Sequence, residues 1–297
     1  MKQTIFEGVA TAIVTPMLPN GDTDFETFAR LIEWQIESGV QAIVAAGTTG
    51  EGSTLSDEEH KEVLKFCVDQ VRGRVPVIAG TGSNDTAYAV SLTKYACEIG
   101  ADAMLLVTPY YNKATQKGLI ASFTAIADAS TKPCILYNVP SRTGCNLLPE
   151  TVAVLAEHPK IVAIKEASGN ISQIAKLAAL CKDKIDIYSG NDDQIVPILS
   201  LGGKGVISVL SNPMPKETVE ICKKFFAGDV AGACDLQLKL LPLIDALFSE
   251  VNPIPVKAAM AAMGFGANAL RLPLTPMEPA HEKVLLDCMR AAGISLK

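Results

Sequence analysis

Apolar positions along the chain recur in two alternating rhythms. Short β-rich runs stand at TAIVTP (11–16), QAIVAAGTTG (41–50), VPVIAGTG (75–82) and ADAMLLVTP (101–109). Four more follow at PCILYNVP (133–140), IVAIKEAS (161–168), IDIYSGN (185–191) and GVISVL (205–210). They recur at intervals of roughly 20 to 35 residues, as strand–helix repeats require. The stretches between them have a helical period. DFETFARLIEWQIESG places Phe25, Phe28, Leu31, Ile32, Gln35 and Ile36 on one face and stops at Gly39. SDEEHKEVLKFCVDQV opens with Ser56 as N-cap and Glu59 three residues on, a capping box. NDTAYAVSLTKYACEIG and ISQIAKLAALCKD (171–183) behave alike.

Eight β-runs alternating with helices predict an α/β fold, a closed parallel (β/α)8 barrel of the TIM type. The alternative is an open doubly wound sheet. Its commonest cue, G-x-G-x-x-G after the first strand, is missing, because TAIVTPMLPNGD follows instead. From about residue 213 the pattern is helical only, in KETVEICKKFFAGD, VAGACDLQLKLLPLIDALF, PIPVKAAMAAMG and EPAHEKVLLDCMRAAG. The first of these completes the barrel. The expected organisation is a barrel over residues 1–227 carrying the site, and a C-terminal helical extension over 228–297 packed on it.

Composition narrows the partners. The net charge is -6 and no Lys/Arg run occurs, which argues against nucleic acid and anionic membrane surfaces. No run reaches the ~18 apolar residues of a membrane helix, and MKQTIFEGVATAIVTP has no signal-peptide apolar region. The eight cysteines form no C-x-x-C pair and lie in apolar patterns, as buried reduced thiols do, so a cytoplasmic location is expected. His60, His158 and His281 have no ligand spacing, and no metal site is expected.

In such barrels the reactive groups gather where strands end and the next loops begin. Lys165 stands in IVAIKEAS, near the end of an otherwise apolar run. If it faces the interior, alternation puts Ala163 and Ile161 there too, with Val162 and Ile164 against the helices. A small apolar cavity then favours the neutral, nucleophilic amine. The plainer reading has Lys165 reaching solvent or pairing with Glu166. Tyr137 shares parity with Ile135 on the neighbouring strand; it is either a proton shuttle beside the amine or a core tyrosine. Thr48 and Thr49, between Gly47 and Gly50, either present N–H and O–H groups to a carboxylate or merely close a turn. Arg142, in the loop after Tyr137, either clamps a second carboxylate or is an ordinary exposed arginine. LGGKG (201–205) precedes the last strand and so belongs to the opposite rim, and Lys257 is read as structural.

GTTGE, TPYYN, YNVPSRTG, IKEASGN and YSGND occur in this order at successive strand ends. Together they resemble the dihydrodipicolinate synthase group of the pyruvate-dependent class I aldolase/lyase superfamily, over essentially the whole chain. The resemblance implies a lyase that condenses pyruvate with L-aspartate 4-semialdehyde to 4-hydroxy-tetrahydrodipicolinate, in lysine and diaminopimelate biosynthesis. It implies Lys165 as the Schiff-base residue and Tyr137, Thr48 and Tyr111 as a proton relay, with Tyr111 crossing a tight dimer interface. Thr49, Arg142, Gly190 and Ile207 are implied as substrate-binding residues, and no cofactor is required, because the protonated imine is the electron sink. A homo-oligomer is implied, at least a dimer and often a tetramer.

Relatives with the same lysine and tyrosine, the N-acetylneuraminate lyases and 2-keto-3-deoxy sugar acid aldolases, usually lack the arginine after YN-x-P. Arg142 therefore favours the synthase. A silent barrel sensing a keto acid is disfavoured by the presence of Lys165, Tyr137 and Thr48 together. Some members are inhibited by lysine at the dimer interface. His60, Asn84 and Tyr110 match that effector pocket, whereas Gly52, Asp57 and Tyr88 replace an expected serine, histidine and glutamate. Weak or absent lysine feedback is the resulting expectation.

Overall fold

The parallel strands close in chain order, with β1 paired to both β2 and β8. In this computed structural model, which describes residues 4–181 and 183–297, they are β1 (Gly8–Ala12), β2 (Ala42–Ala45), β3 (Val77–Gly80), β4 (Ala103–Val107), β5 (Cys134–Asn138), β6 (Ile161–Glu166), β7 (Asp186–Ser189) and β8 (Gly205–Ser208). The expected (β/α)8 barrel is therefore present. The first strand begins at Gly8 rather than Thr11. Gly8 and Gly205 meet at the closing seam, where a Cβ on Gly205 would lie 1.9 Å from the Gly8 carbonyl oxygen. A run that must open on glycine carries little β signal. The strand ends as Val14 N donates to Asn212 Oδ1 at 3.1 Å instead of to a neighbouring strand.

The helices are α1 (Phe25–Glu37), α2 (Asp57–Val71), α3 (Thr86–Glu98), α4 (Gln116–Ala129), α5 (Pro140–Thr143), α6 (Pro149–Leu155), α7 (Ile171–Cys181), α8 (Ile195–Ser200), α9 (Pro215–Phe226), α10 (Val230–Leu247), α11 (Ile254–Ala262) and α12 (Pro279–Ala291). Lys182, at the end of the stretch expected to be helical, lies outside the described residues. Local chemistry starts several of them. The Asp24, Asp85, Thr115 and Asp229 side chains accept first-turn N–H groups, and Ser56 with Glu59 forms the anticipated capping box. Segment α10 packs on α8 and α9, and α12 packs on α10 and α11.

Two apolar layers result. Outward strand residues such as Ile43, Leu106, Leu136 and Ile164 meet the helices. Inward ones include the small Ala10, Ala42, Ala103 and Ala163, and also Ala12 and Val44, which line the open space at the barrel mouth. The floor is closed by Phe6 stacked on Tyr188 at 4.1 Å, with Tyr188 Oη donating to the Phe6 carbonyl at 2.7 Å. Two expected orientations are wrong. Ile161 belongs to the outer layer, whereas Val162 joins Ala163 in the inner one. The cause is a register shift: Cys134 pairs with Ile161 but Ile135 pairs with Ala163, so parity breaks once along β6.

Candidate active site

The strand register places Lys165 directly beside Tyr137, at the ends of β6 and β5. Each is 6% exposed. Lys165 Nζ stands over the face of the Tyr137 ring, 4.4 Å from its centroid. Both alternative readings of the lysine fail. It does not reach solvent, and Glu166 lies on the other face of the strand. There Glu166 accepts hydrogen bonds from Ser168 N at 2.7 Å and Asn138 Nδ2 at 3.1 Å. Burial pushes the Glu166 carboxyl up, and these hydrogen bonds pull it partly back. Gly190 follows β7, and a Cβ there would sit 2.7 Å from Ala167 Cβ and 3.1 Å from Lys165 Cε. The glycine is what lets the lysine stem lie against this backbone.

The segment after β2 is a tight turn. Ala46 and Glu51 both adopt left-handed backbone at φ 53°. Glu51 N donates to Thr48 O and Gly52 N to Gly47 O, each at 3.1 Å. A Cβ on Gly52 would come within 2.3 Å of the Ala46 carbonyl oxygen, so only glycine fits. Thr48 is half-buried and Thr49 buried. Arg142 is exposed and sits not in an irregular loop but on the single turn of α5, closed by Gly144 at φ 66°. Proline at the first helical position and glycine just past the last explain that turn.

A cavity of about 550 Å³ joins these elements and is lined by Thr48, Thr49, Tyr137, Arg142 and Lys165. It continues past His60 and Tyr110 to Asp57 and Tyr88. Catalytic and effector candidates thus share one space. Ile207, on β8, lies in the same inner layer as Tyr137 and is fully buried. Asn84 Nδ2 donates to the Tyr110 carbonyl at 3.2 Å. Four candidates do not line the cavity: Asn84, Gly190 and Ile207 lie behind its lining, and Tyr111 is 89% exposed with φ 72°.

The effector end has its own electrostatics. His60 Nε2 is 2.9 Å from the Gly80 carbonyl, and burial pulls its pKa down. The Lys61 ammonium above all, with the Tyr88 hydroxyl, holds the Asp57 carboxyl below its ordinary value. Desolvation, with Asp57 beside it, pushes the Tyr88 phenol up to about 12. Among the described residues no group of three or more His, Cys, Asp or Glu side chains is arranged to hold a metal ion.

Three features of the site escaped the sequence reading. Asp192, buried two residues after Gly190, accepts from Ser208 Oγ at 2.5 Å and from Val209 N and Leu210 N at 3.0 and 2.9 Å. It ties the ends of β7 and β8 together. Asn252 Nδ2 donates to Thr49 Oγ1 at 3.0 Å. Lys257 pairs with Glu51 in full burial. The last two link residues some 200 positions apart, which no local spacing reveals.

The dihydrodipicolinate synthetase family profile matches residues 5–292. The 4-hydroxy-tetrahydrodipicolinate synthase of Lachnoclostridium phytofermentans is 58% identical, over 98% of this chain and 99% of its own. That of Caldicellulosiruptor bescii is 56% identical over 99% of each. Among solved structures, the chloride-inhibited dihydrodipicolinate synthase from Acinetobacter baumannii complexed with pyruvate superposes with a TM-score of 0.96 at 47% identity, covering 98% of this chain and 100% of that one.

Proposed function

The chain belongs to the dihydrodipicolinate synthetase family, and from that premise we infer that its barrel mouth condenses pyruvate with L-aspartate 4-semialdehyde to 4-hydroxy-tetrahydrodipicolinate, a step of lysine and diaminopimelate biosynthesis. The observation that carries the reading is the buried Lys165 amine over the Tyr137 ring, in one cavity with a small-residue turn and an arginine. Lys165 Nζ attacks the keto carbon of pyruvate, and loss of water leaves a protonated imine. That imine draws electrons from the methyl carbon, a proton leaves, and an enamine forms. The enamine carbon then adds to the aldehyde carbon of the second substrate. Its amine displaces Lys165 from the imine carbon and closes the ring.

Thr49 and the Thr48 backbone receive the pyruvate carboxylate, and the exposed Arg142 takes that of the semialdehyde in a bidentate fork. Gly190 and Ile207 shape the wall. Tyr137, Thr48 and Tyr111 relay protons, with Tyr111 supplied by a second copy of the chain. The 89% exposure of Tyr111 on left-handed backbone supports that assignment, and makes the working unit at least a dimer, within a tetramer. No helix among the described residues is long and apolar enough to cross a membrane. The eight free cysteines fit a reducing cytoplasm.

Incubation with pyruvate and borohydride should add the reduced pyruvyl group to Lys165, located by peptide mass. The wild type should then turn over aspartate semialdehyde and not N-acetylneuraminate, and Arg142→Ala should raise KM for the semialdehyde alone. An adduct on another lysine, or none, defeats the assignment. Lysine should inhibit weakly or not at all, because Tyr88 lacks a carboxylate and Asp57 is already engaged by Lys61. Inhibition at sub-millimolar lysine overturns that point.

A further inference from the structure

The turn proposed to hold the pyruvate carboxylate is not fixed by the barrel alone. Two of its residues, Ala46 and Glu51, are not glycines yet hold left-handed backbone. From the barrel its side-chain anchors are Thr15 Oγ1, which donates to the Gly50 carbonyl at 2.7 Å, and Thr54 Oγ1, which donates to the Glu51 carbonyl at 3.1 Å. The remaining anchors come from the C-terminal segment. Lys257, on α11, pairs with one Glu51 oxygen, and the backbone N–H of Arg271 donates to the other at 3.2 Å. Arg271 Nη1 also donates to the Thr54 carbonyl at 2.9 Å. Asn252 reaches Thr49 itself.

Direction matters in that last contact. A hydroxyl carries one proton and two lone pairs. With the Asn252 amide N–H occupying a lone pair of Thr49 Oγ1, the Thr49 proton is left to donate elsewhere. Thr49 lines the cavity, where a carboxylate is the natural acceptor. The Glu51–Lys257 pair serves the same end from beneath. A carboxylate this deeply buried stays where its partner holds it, and Glu51 closes the turn that carries Thr48 and Thr49.

We propose that Asn252 and the Glu51–Lys257 pair are positioning residues for the pyruvate carboxylate, so that the C-terminal helical segment sets first-substrate affinity from outside the barrel. This rests on the functional reading above.

The test titrates pyruvate against borohydride-trapped adduct and, in steady state, measures KM for both substrates. The proteins are the wild type, Asn252→Ala, Asn252→Asp and the double variant Glu51→Gln/Lys257→Met. Asn252→Ala should raise half-saturating pyruvate by about tenfold, the effect of losing one hydrogen bond to a buried polar group, with KM for aspartate semialdehyde unmoved. Asn252→Asp should raise it further, because an acceptor in place of a donor draws the Thr49 proton away from the substrate. The double variant, which keeps shape and removes both charges, should also raise it. If that protein does not fold, the two Asn252 variants carry the test. Wild-type pyruvate affinity in soluble variants, with only a lowered unfolding midpoint, would reduce these residues to struts and overturn the proposal. Absence of any adduct in the wild type would instead remove the functional reading beneath it.

Discussion

Two buried lysines divide the molecule by role. Lys257 is 3% exposed and Lys165 is 6% exposed. Lys257 meets a carboxylate, Glu51, itself buried. Lys165 meets the face of a tyrosine ring instead, and the adjacent carboxylate, Glu166, is turned to Asn138 and Ser168. Burying an ammonium is unfavourable unless it is paired. For Lys257, burial pulls the pKa down while the Glu51 charge pushes it back. A lysine engaged in this way supports its surroundings. Among the described residues Lys165 is hydrogen-bonded to no carboxylate. Asp192, which feels its charge, is taken up by Ser208, Val209 and Leu210, so the amine stays free at the mouth of a cavity large enough for two small acids. The lesson concerns partners, since depth of burial is nearly the same in both.

Replacing each lysine by methionine should break that symmetry in opposite directions. Lys165→Met should abolish the pyruvate adduct and lower turnover by at least ~10³-fold, since no nucleophile remains. Its unfolding midpoint should hold or rise, because an apolar chain of similar length replaces a buried amine that rests on a ring face. Lys257→Met strands the Glu51 carboxylate, and loss of one partner of a buried pair costs about 3–5 kcal/mol. Urea denaturation of the two variants, run beside the wild type, reads the contrast. If Lys165→Met proves the less stable of the pair, the distinction drawn between them is wrong.

A smaller effect sharpens the same contrast at Gly190. Ala167 Cβ and the Lys165 stem occupy the space an alanine methyl would need, so Gly190→Ala should push the lysine off the Tyr137 ring. Adduct formation with pyruvate should slow by roughly tenfold to a hundredfold, the scale of a displacement on the order of 1 Å. Stopped-quench trapping measures it; a wild-type rate would show that the wall tolerates a side chain and that Gly190 has no part in placing the amine.

These cases show what the chain made legible and what it hid. The barrel was readable because most of its strands and helices announce themselves locally, through β-rich runs, caps such as Ser56 and Glu59, and terminating glycines, whereas the single turn of α5 was read as loop. Lys165, Tyr137 and the threonine pair stood out as candidates because each is an unusual residue type at or just past the end of an apolar run. Each kept a plainer reading, and their roles came from the family resemblance; that they share one cavity is what the structure adds. The orientation of Ile161 was not, because a one-residue register shift leaves no mark in a run of Ile, Val and Ala. The first strand was misplaced because glycine is demanded at the Gly8–Gly205 seam by contact across the barrel. The contact of Asn252 with Thr49, and the partner of Lys257, itself read as structural, were hidden for the same reason: Thr49 and Glu51 become their neighbours only after the chain has folded.

The smallest effect concerns a third buried base, His60, whose ring is bonded to a backbone carbonyl and, among the described residues, to no carboxylate. Its Nε2 meets the Gly80 carbonyl, an arrangement that the neutral ring satisfies by donating its single proton. Burial moves its pKa below the ordinary 6.5, against weaker pulls from Gly80 and Asp57 in the other direction. Between that lowered value and 6.5 the unfolded chain binds a proton that the folded chain refuses. The stability contributed here is therefore complete above pH 6.5, declines as pH falls through 6.5, and levels off once the folded form is protonated as well. His60→Gln keeps a donor for the Gly80 carbonyl but cannot titrate. Urea midpoints measured from about pH 7.5 down to about pH 5 should fall more steeply in the wild type than in this variant. The carboxylates common to both proteins cancel in that difference. Parallel slopes would mean that His60 charges as readily folded as unfolded. Burial would then fail to distinguish it from a surface histidine, and the rule drawn from the two lysines, that the partner decides what a buried base can do, would lose its third case.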